Sequence, residues 1–333
     1  MTPIFRPSTG FKAAVALLSL GFLFPAESGR AQDAYPSRPI QLVVTTAAGG
    51  TGDLVARVVA ERLSEALRQP IVIENQTAGN GSVAVGQVVR AKPDGHTLIF
   101  MADSTLTINP HLYQLTVDPV RELAPVGIAA KMSMVLLGSP ALKANNVQEL
   151  IALAQANPGK LNYASTGIGT HLHIGIELFK MKTKTDIVHV PYRGNTGALV
   201  DLMGGRIDLI LIGQPALAGQ VEKQKLKVLG LAAEKRSPLL PNVPTITEAG
   251  VPGYQVSAWY GMLAPANTPP AILERLAQEM QRLRTDPRFN QAIGSQGLEV
   301  IASSPKEMTD SVRAESDKWR EVIRVTGTTL TPK

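Results

Sequence analysis

Apolar positions along the chain alternate between two spacings. Ile40-Gln-Leu-Val-Val-Thr-Thr46 is rich in β-branched residues and predicts a buried strand. From 53 to 67, Leu54, Val55, Val58, Val59, Leu63 and Leu67 recur at helical spacing. Ile71-Val-Ile-Glu-Asn75 predicts a second strand. Residues 82–91 predict a short helix stopped by Pro93-Asp-Gly95, and Thr97-Leu-Ile-Phe-Met-Ala102 a third strand. The rhythm then restarts. Strands are expected at 125–130, 134–138, 161–164, 187–190, 207–212 and 228–232, with helices at 147–155, 171–181 and 197–203. An extended run at 256–263 holds Trp259 and Tyr260, one expected in the core and the other elsewhere, such as a cleft. The tail, 270–325, reads as amphipathic helix. Strand–helix repetition implies an α/β fold with a parallel sheet, built as two units.

The N-terminus follows a different pattern. Arg6 and Lys12 precede the apolar run 13–24, which Pro25 breaks and Gly29-Arg-Ala31 follows. A dozen apolar residues are too few to span a bilayer, for which about 20 are needed, and suit a signal-peptide core. Residues 1–31 are therefore expected to be a signal peptide cleaved after Ala31, the alternative being an uncleaved anchor. The 333 residues leave room for two domains. A net charge of +6, with no basic block interleaved with aromatics, argues against nucleic-acid binding. The absence of cysteine excludes disulfides, thiolate metal sites and a Cys nucleophile.

Two glycine-rich segments each join a strand to a helix: Ala47-Ala48-Gly49-Gly50-Thr51-Gly52 before Asp53, and Ser165-Thr166-Gly167-Ile-Gly169-Thr170 before His171. Such loops present unpaired N–H groups and the positive end of a helix dipole, which suits a carboxylate or phosphate. Equally, they suit ordinary tight turns with Thr51, Asp53 or Thr170 as helix N-caps. Ligands of open α/β sheets sit at these strand ends. Gly50-Thr-Gly52 with Glu74 mimics a dinucleotide fingerprint, but Val55 stands where its third small residue belongs. His171 and His173 would point to different helix faces, which disfavours a metal, and His171 is either a ligand contact or a polar surface or capping residue. No spacing pairs carboxylates for acid–base work.

Many short motifs in order make the chain resemble the Bug receptors, the TctC-type solute-binding proteins of tripartite tricarboxylate transporters. They include Tyr35-Pro-Ser-Arg-Pro-Ile40, Gly49-Gly50 with Asp53, Asn109-Pro110 with Leu112-Tyr113, and Leu161-Asn-Tyr-Ala-Ser165. The most specific are Val188-His-Val-Pro-Tyr-Arg-Gly194, Arg236-Ser-Pro-Leu-Leu-Pro-Asn-Val-Pro-Thr245 and Glu248-Ala-Gly-Val-Pro-Gly-Tyr254. The resemblance implies a two-lobed periplasmic-binding-protein fold of type II-like design with a ligand cleft between lobes. It assigns 35–130 and 257–333 to one lobe and 131–256 to the other. It further implies a monomeric periplasmic receptor, without cofactor or chemistry, that hands a small carboxylate to membrane permease subunits or reports it to a sensor kinase. An exported enzyme using the same cleft is the rival class, for which no nucleophile–base pair is evident. The ligand residues carried over are Ala48, Gly49, Gly50, Thr51 and Asp53 in one lobe. In the other they are Ser165, Thr166, Gly167, Gly169, Thr170 and His171, with Ser104, Thr105, Tyr192 and Gly194 beside them. Two positions depart from the family: Thr45-Thr46 replaces a Pro-aromatic pair, and Ile212 replaces an acid. The second change turns the expected ligand away from amino acids, towards a di- or tricarboxylate or an aromatic acid.

Overall fold

A single strand carries the chain from one half of the sheet to the other. In the computed structural model, which describes residues 35–217 and 226–330, β4 (Leu123–Gly138) is 16 residues long. The first half contains β1 (Ile40–Val44), α1 (Thr51–Leu67), β2 (Ile71–Asn75), α2 (Ser82–Val89) and β3 (Thr97–Ala102). Three one-turn helices follow, α3 (Ser104–Thr107), α4 (Asn109–Leu112) and α5 (Pro119–Glu122). The second half contains α6 (Val147–Ala156), β5 (Asn162–Ser165), α7 (His171–Thr183), β6 (Val188–Pro191), α8 (Asn195–Met203), β7 (Leu209–Gly213) and β8 (Lys227–Leu231). The chain returns through β9 (Ser257–Pro265), α9 (Pro270–Arg282), α10 (Pro287–Gly294), β10 (Glu299–Val300) and α11 (Pro305–Thr326). The expected signal segment, residues 1–31, lies outside the described residues.

The sheet order is β2-β1-β3-β9-β4-β7-β5-β6, with β8 and β10 also on β4. Within each half the neighbours β2-β1-β3 and β6-β5-β7 are parallel. Against β3 and β7, however, β9 and β4 run antiparallel. The expected parallel sheet is therefore a mixed one. Strand–helix rhythm reports crossover connections, and the two strands that link the halves have none. The two strands expected at 125–130 and 134–138 are one. Pro125 donates no ladder bond and sits where the β4–β9 register slips, a position that tolerates proline. Lys131 and Ser133, the polar interruption in the run, line a cavity of roughly 600 Å³ and leave the strand unbroken. The lobe boundary expected at residue 130 falls inside β4.

Helices cover both faces of the sheet, so apolar runs rather than alternation mark most strands. β9 is buried along its whole length. Trp259 packs with Met308 while Tyr260 joins the main core, so both aromatics are interior rather than one lying elsewhere. α11 is fixed by a capping box, Ser304 with Glu307, and buries Trp319 completely while packing on α7 and β4. No helix among the described residues is long and apolar enough to cross a membrane.

Gly127 shows how tightly β4 is seated. A Cβ there would stand 2.6 Å from the Ser303 carbonyl oxygen, a backbone atom that cannot swing aside. Gly127→Ala is expected to lower stability by about 1–3 kcal/mol through overpacking. Urea denaturation would show it, and an unchanged midpoint would disprove the contact's importance.

Candidate functional site

Both glycine loops emerge at the carboxyl ends of parallel strands, one in each half. In the first, Gly49 takes a positive φ of 79°, where a side chain would be strained, and the space above it is open. The loop closes through Gly50 N–H to the Ala47 carbonyl, 3.0 Å, and Ala48 at its tip is exposed. Gly52 has no room for a side chain, because Thr46 and the Tyr260 ring come within 2.9 Å of its Cβ position. The Thr51 hydroxyl is a hydrogen-bond partner of the Tyr260 phenol.

Asp53 lies beneath this loop, 1% exposed. It accepts from Gly49 N–H at 2.9 Å, from Arg57 at 2.9 and 3.0 Å, and from Asn75 Nδ2 at 2.8 Å. Asn75 Nδ2 also donates to the Thr46 carbonyl. Burial pushes the Asp53 carboxyl up, yet the hydrogen bonds from Arg57, Asn75 and Gly49 outweigh it and hold the group below the usual carboxylate range. Asp53 thus clamps the loop from below, with both oxygens engaged.

The second loop is braced from behind by two histidines. Ser165, fully buried, exchanges hydrogen bonds with Gly167, and its Oγ lies 2.6 Å from His189 Nε2. Gly169 N–H donates to His173 Nδ1 at 3.3 Å, an acceptor only while that nitrogen is unprotonated. Burial lowers His173 to about 3, helped by His189 and Lys180, and burial with Lys180 lowers His189 to about 4. Both rings are therefore neutral at ordinary pH. Gly167 and Gly169 have positive φ, and Thr170 caps α7 by accepting from His173 N–H. Thr166 is half-buried at the bend.

Three contacts bring this loop to the first half. His171, the first residue of α7, places Nε2 3.0 Å from Asp103 Oδ2, just past the end of β3. A Cβ on Gly169 would stand 2.7 Å from Leu112 Cδ1, and the Tyr113 ring borders the same spot. His171 is thus neither a polar surface residue nor a cap: it is 6% exposed and paired with a carboxylate.

The remaining candidates divide. Tyr192 N–H donates to the Ser165 carbonyl, so the start of α8 adjoins the second loop. Its hydroxyl donates to Asp201, which Arg206 also holds. Gly194 is the N-cap of α8 and faces open space. Ser104 and Thr105 open α3, Thr105 almost fully buried. Ile212 is buried in an apolar cluster with Val135 and Leu199 and has no polar group for a ligand. Among the described residues no group of three or more His, Asp or Glu is placed to hold a metal.

Capping separates these helices from the rest. α1, α2 and α8 start at Gly50, Gly81 and Gly194 with no side-chain cap. By contrast, Asn146, Asp286 and Ser304 cap α6, α10 and α11, and only α9 of the remaining long helices begins uncapped, at Pro269. The glycine-started helices leave first-turn N–H groups for an outside acceptor. Asn80, Asn109, Tyr113, His173 and His189 are not among the ligand residues expected from the sequence, since most of their contacts here lie far along the chain.

A family model described as "Tripartite tricarboxylate transporter family receptor", TctC, matches residues 55–328. The solved structure of R. palustris Rpa4515 with adipate is 33% identical, covering 89% of this chain and 99% of its own, with a TM-score of 0.79. MatC from Rhodopseudomonas palustris with bound malate is 30% identical over 87% and 100% of the two chains, TM-score 0.75. The periplasmic binding protein BugD is also 30% identical, over 89% and 99%, TM-score 0.75. The mixed α/β fold described above is the fold of these binding proteins, and the chain belongs to the TctC family, the receptors of tripartite tricarboxylate transporters.

Proposed function

We propose that this receptor captures a small organic carboxylate between its two glycine loops in the periplasm, after cleavage at Ala31, and delivers it as a monomer to membrane permease subunits. The observation that carries the reading is that α1, which follows the first glycine loop, and α8, which adjoins the second, start at Gly50 and Gly194 with no side-chain cap on their first-turn N–H groups. Adipate and malate in the related structures support it. Residues 35–130 with 257–333, and 131–256, are the two lobes, and hinge movement at β4 and β9 encloses the anion among donors in a low local dielectric. A receptor family performs no reaction, so binding and release are the whole cycle.

The ligand is a di- or tricarboxylate or an aromatic acid rather than an amino acid. The buried carboxylates beside the loops, Asp53 and Asp103, are both engaged by protein donors, and Ile212 supplies none. An ammonium group would therefore find no counter-charge there. Thermal-shift measurements over organic acids, their amides and their α-amino analogues test this. A ligand at about 100 times its Kd adds roughly 2.7 kcal/mol. The expected result is stabilisation by certain acids and none by their amides. Tighter binding of an amino acid than of its deaminated counterpart would overturn the ligand class, and silence across all acids would overturn the carboxylate reading.

A further inference from the structure

A cavity of roughly 510 Å³ lies beside the candidate site, walled by the turn before α2, by α3 and α4, and by Tyr113. It shares residues with the contacts that surround the glycine loops. A Cβ on Gly81 would stand 3.2 Å from Thr45, at the end of β1, and 3.3 Å from the Thr105 hydroxyl. Tyr113 separates the chamber from Gly169 of the second loop, and its OH accepts from Asn80 Nδ2 at 2.7 Å. Resting on the carboxylate reading, we infer that this chamber is the specificity pocket of the receptor and that it recognises a hydroxyl group on the acid's far end.

The lining decides the chemistry. Among the described residues no Lys, Arg, His, Asp or Glu borders the chamber. Thr105 is 5% exposed and lines the cavity, and its hydroxyl makes no hydrogen bond among the described residues. Asn109 is 4% exposed and donates Nδ2 to the Asn80 carbonyl at 3.1 Å, which leaves Oδ1 as an acceptor without a donor. Buried polar groups of this kind require partners. The Tyr113 hydroxyl, accepting from Asn80, has its own proton to give. A ligand hydroxyl satisfies both kinds: it donates to Asn109 Oδ1 and accepts from Tyr113 or Thr105. A second carboxylate has no proton for Asn109 Oδ1, and no cation is present to offset its burial. A methyl or ring hydrogen would leave Thr105 and Asn109 unpaired.

The turn that carries Asn80 is built for position. Gly79, Asn80 and Gly81 have φ of 60°, 52° and 88°, three left-handed residues in a row. For Asn80 this is a strained conformation, held by its bond to Tyr113 and by Asn109 on its carbonyl. These two bonds fix Asn80 where it meets both chamber residues.

Calorimetric titration of the wild-type protein and Thr105→Val with benzoate, 4-hydroxybenzoate and terephthalate, and with butyrate and 4-hydroxybutyrate, tests the inference. Each set differs by a hydroxyl, with terephthalate placing a carboxylate in its stead. In whichever set binds, the hydroxyl member is expected to bind about tenfold tighter, as one good hydrogen bond allows. Thr105→Val should erase most of that advantage, read as the ratio of the two affinities within each set, while Thr105→Ser restores it. Equal affinity within both sets, tighter binding of terephthalate than of 4-hydroxybenzoate, or an advantage that survives Thr105→Val would overturn the chamber's role and leave the carboxylate reading standing. No binding of any of the five acids would overturn both.

Discussion

Asp53→Ala is expected to release the first glycine loop, lower stability by about 2–4 kcal/mol and abolish the response to acids. The carboxylate accepts from four donor atoms on three residues, and two of those, Gly49 N–H and Asn75 Nδ2, belong to the loop or tie it to β2. Arg57 is half exposed and regains water when its partner goes, so the loss falls mainly on the loop. Asp53→Asn should be milder, since one amide oxygen still accepts, but its NH₂ group meets the donors of Arg57 and Asn75. The pH dependence has a definite sign. The folded-state pKa lies below the ordinary 3.8, so the stabilisation is fully present above about 3.8 and is lost as pH falls through the lower folded value. The gap between wild type and Asp53→Asn should therefore narrow only in strong acid. Equilibrium denaturation from neutral pH downward measures it. An alanine variant with wild-type stability and an intact acid response would remove the clamp from the account.

What the sequence disclosed follows from what is local in it. β2 and β3 fall at the bounds expected, and β3, buried over its four central residues, is continuous in hydrophobicity as a helix-covered strand is. α1 starts two residues before the expected start at 53: Thr51 and Gly52 carry no helical signal, yet Gly50 supplies the extended N-cap. The glycine loops were visible because glycine at a strand–helix junction has few other uses. The role of Asp53 was not visible, since an acid in the first turn of a helix reads alike whether it faces a ligand or the underside of its own loop. The antiparallel pairing of β4 with β9, the Ser165–His189 contact and the Asn80–Asn109–Tyr113 wall join residues 24 to 142 apart, for which local spacing has no signature. The family motifs supplied the order of these elements and the receptor role, but not which side chains meet.

The second large effect is expected where the two halves touch. Asp103 is wholly buried, with Oδ1 accepting from Trp259 N–H at 3.2 Å and Oδ2 3.0 Å from His171 Nε2. It thus joins β3, β9 and the first residue of α7, directly behind the second loop. Burial lowers the His171 pKa, but the Asp103 charge and hydrogen bond, with Glu315 on α11, more than reverse this against Lys318, and the pKa ends above its ordinary 6.5. The Trp319 ring closes the site edge-on, 6.2 Å away. His171→Ala leaves Asp103 without its cationic partner in a dry site and should reduce stability by about 3–5 kcal/mol. The double variant with Asp103→Ala should lose less than the two single losses added together, by about 1–3 kcal/mol, because removing both partners leaves no orphaned charge. Since the folded pKa of His171 is raised, its contribution is complete below 6.5 and fades as pH rises through the folded value. Wild type should thus approach the double variant in stability as pH rises from 6.5 through the folded value. Additive single losses, or a gap that stays constant over that range, would mean that the pair is neither charged nor coupled. In that case Trp319 and the apolar packing of α7 on α11 would be what holds the second loop to the first half.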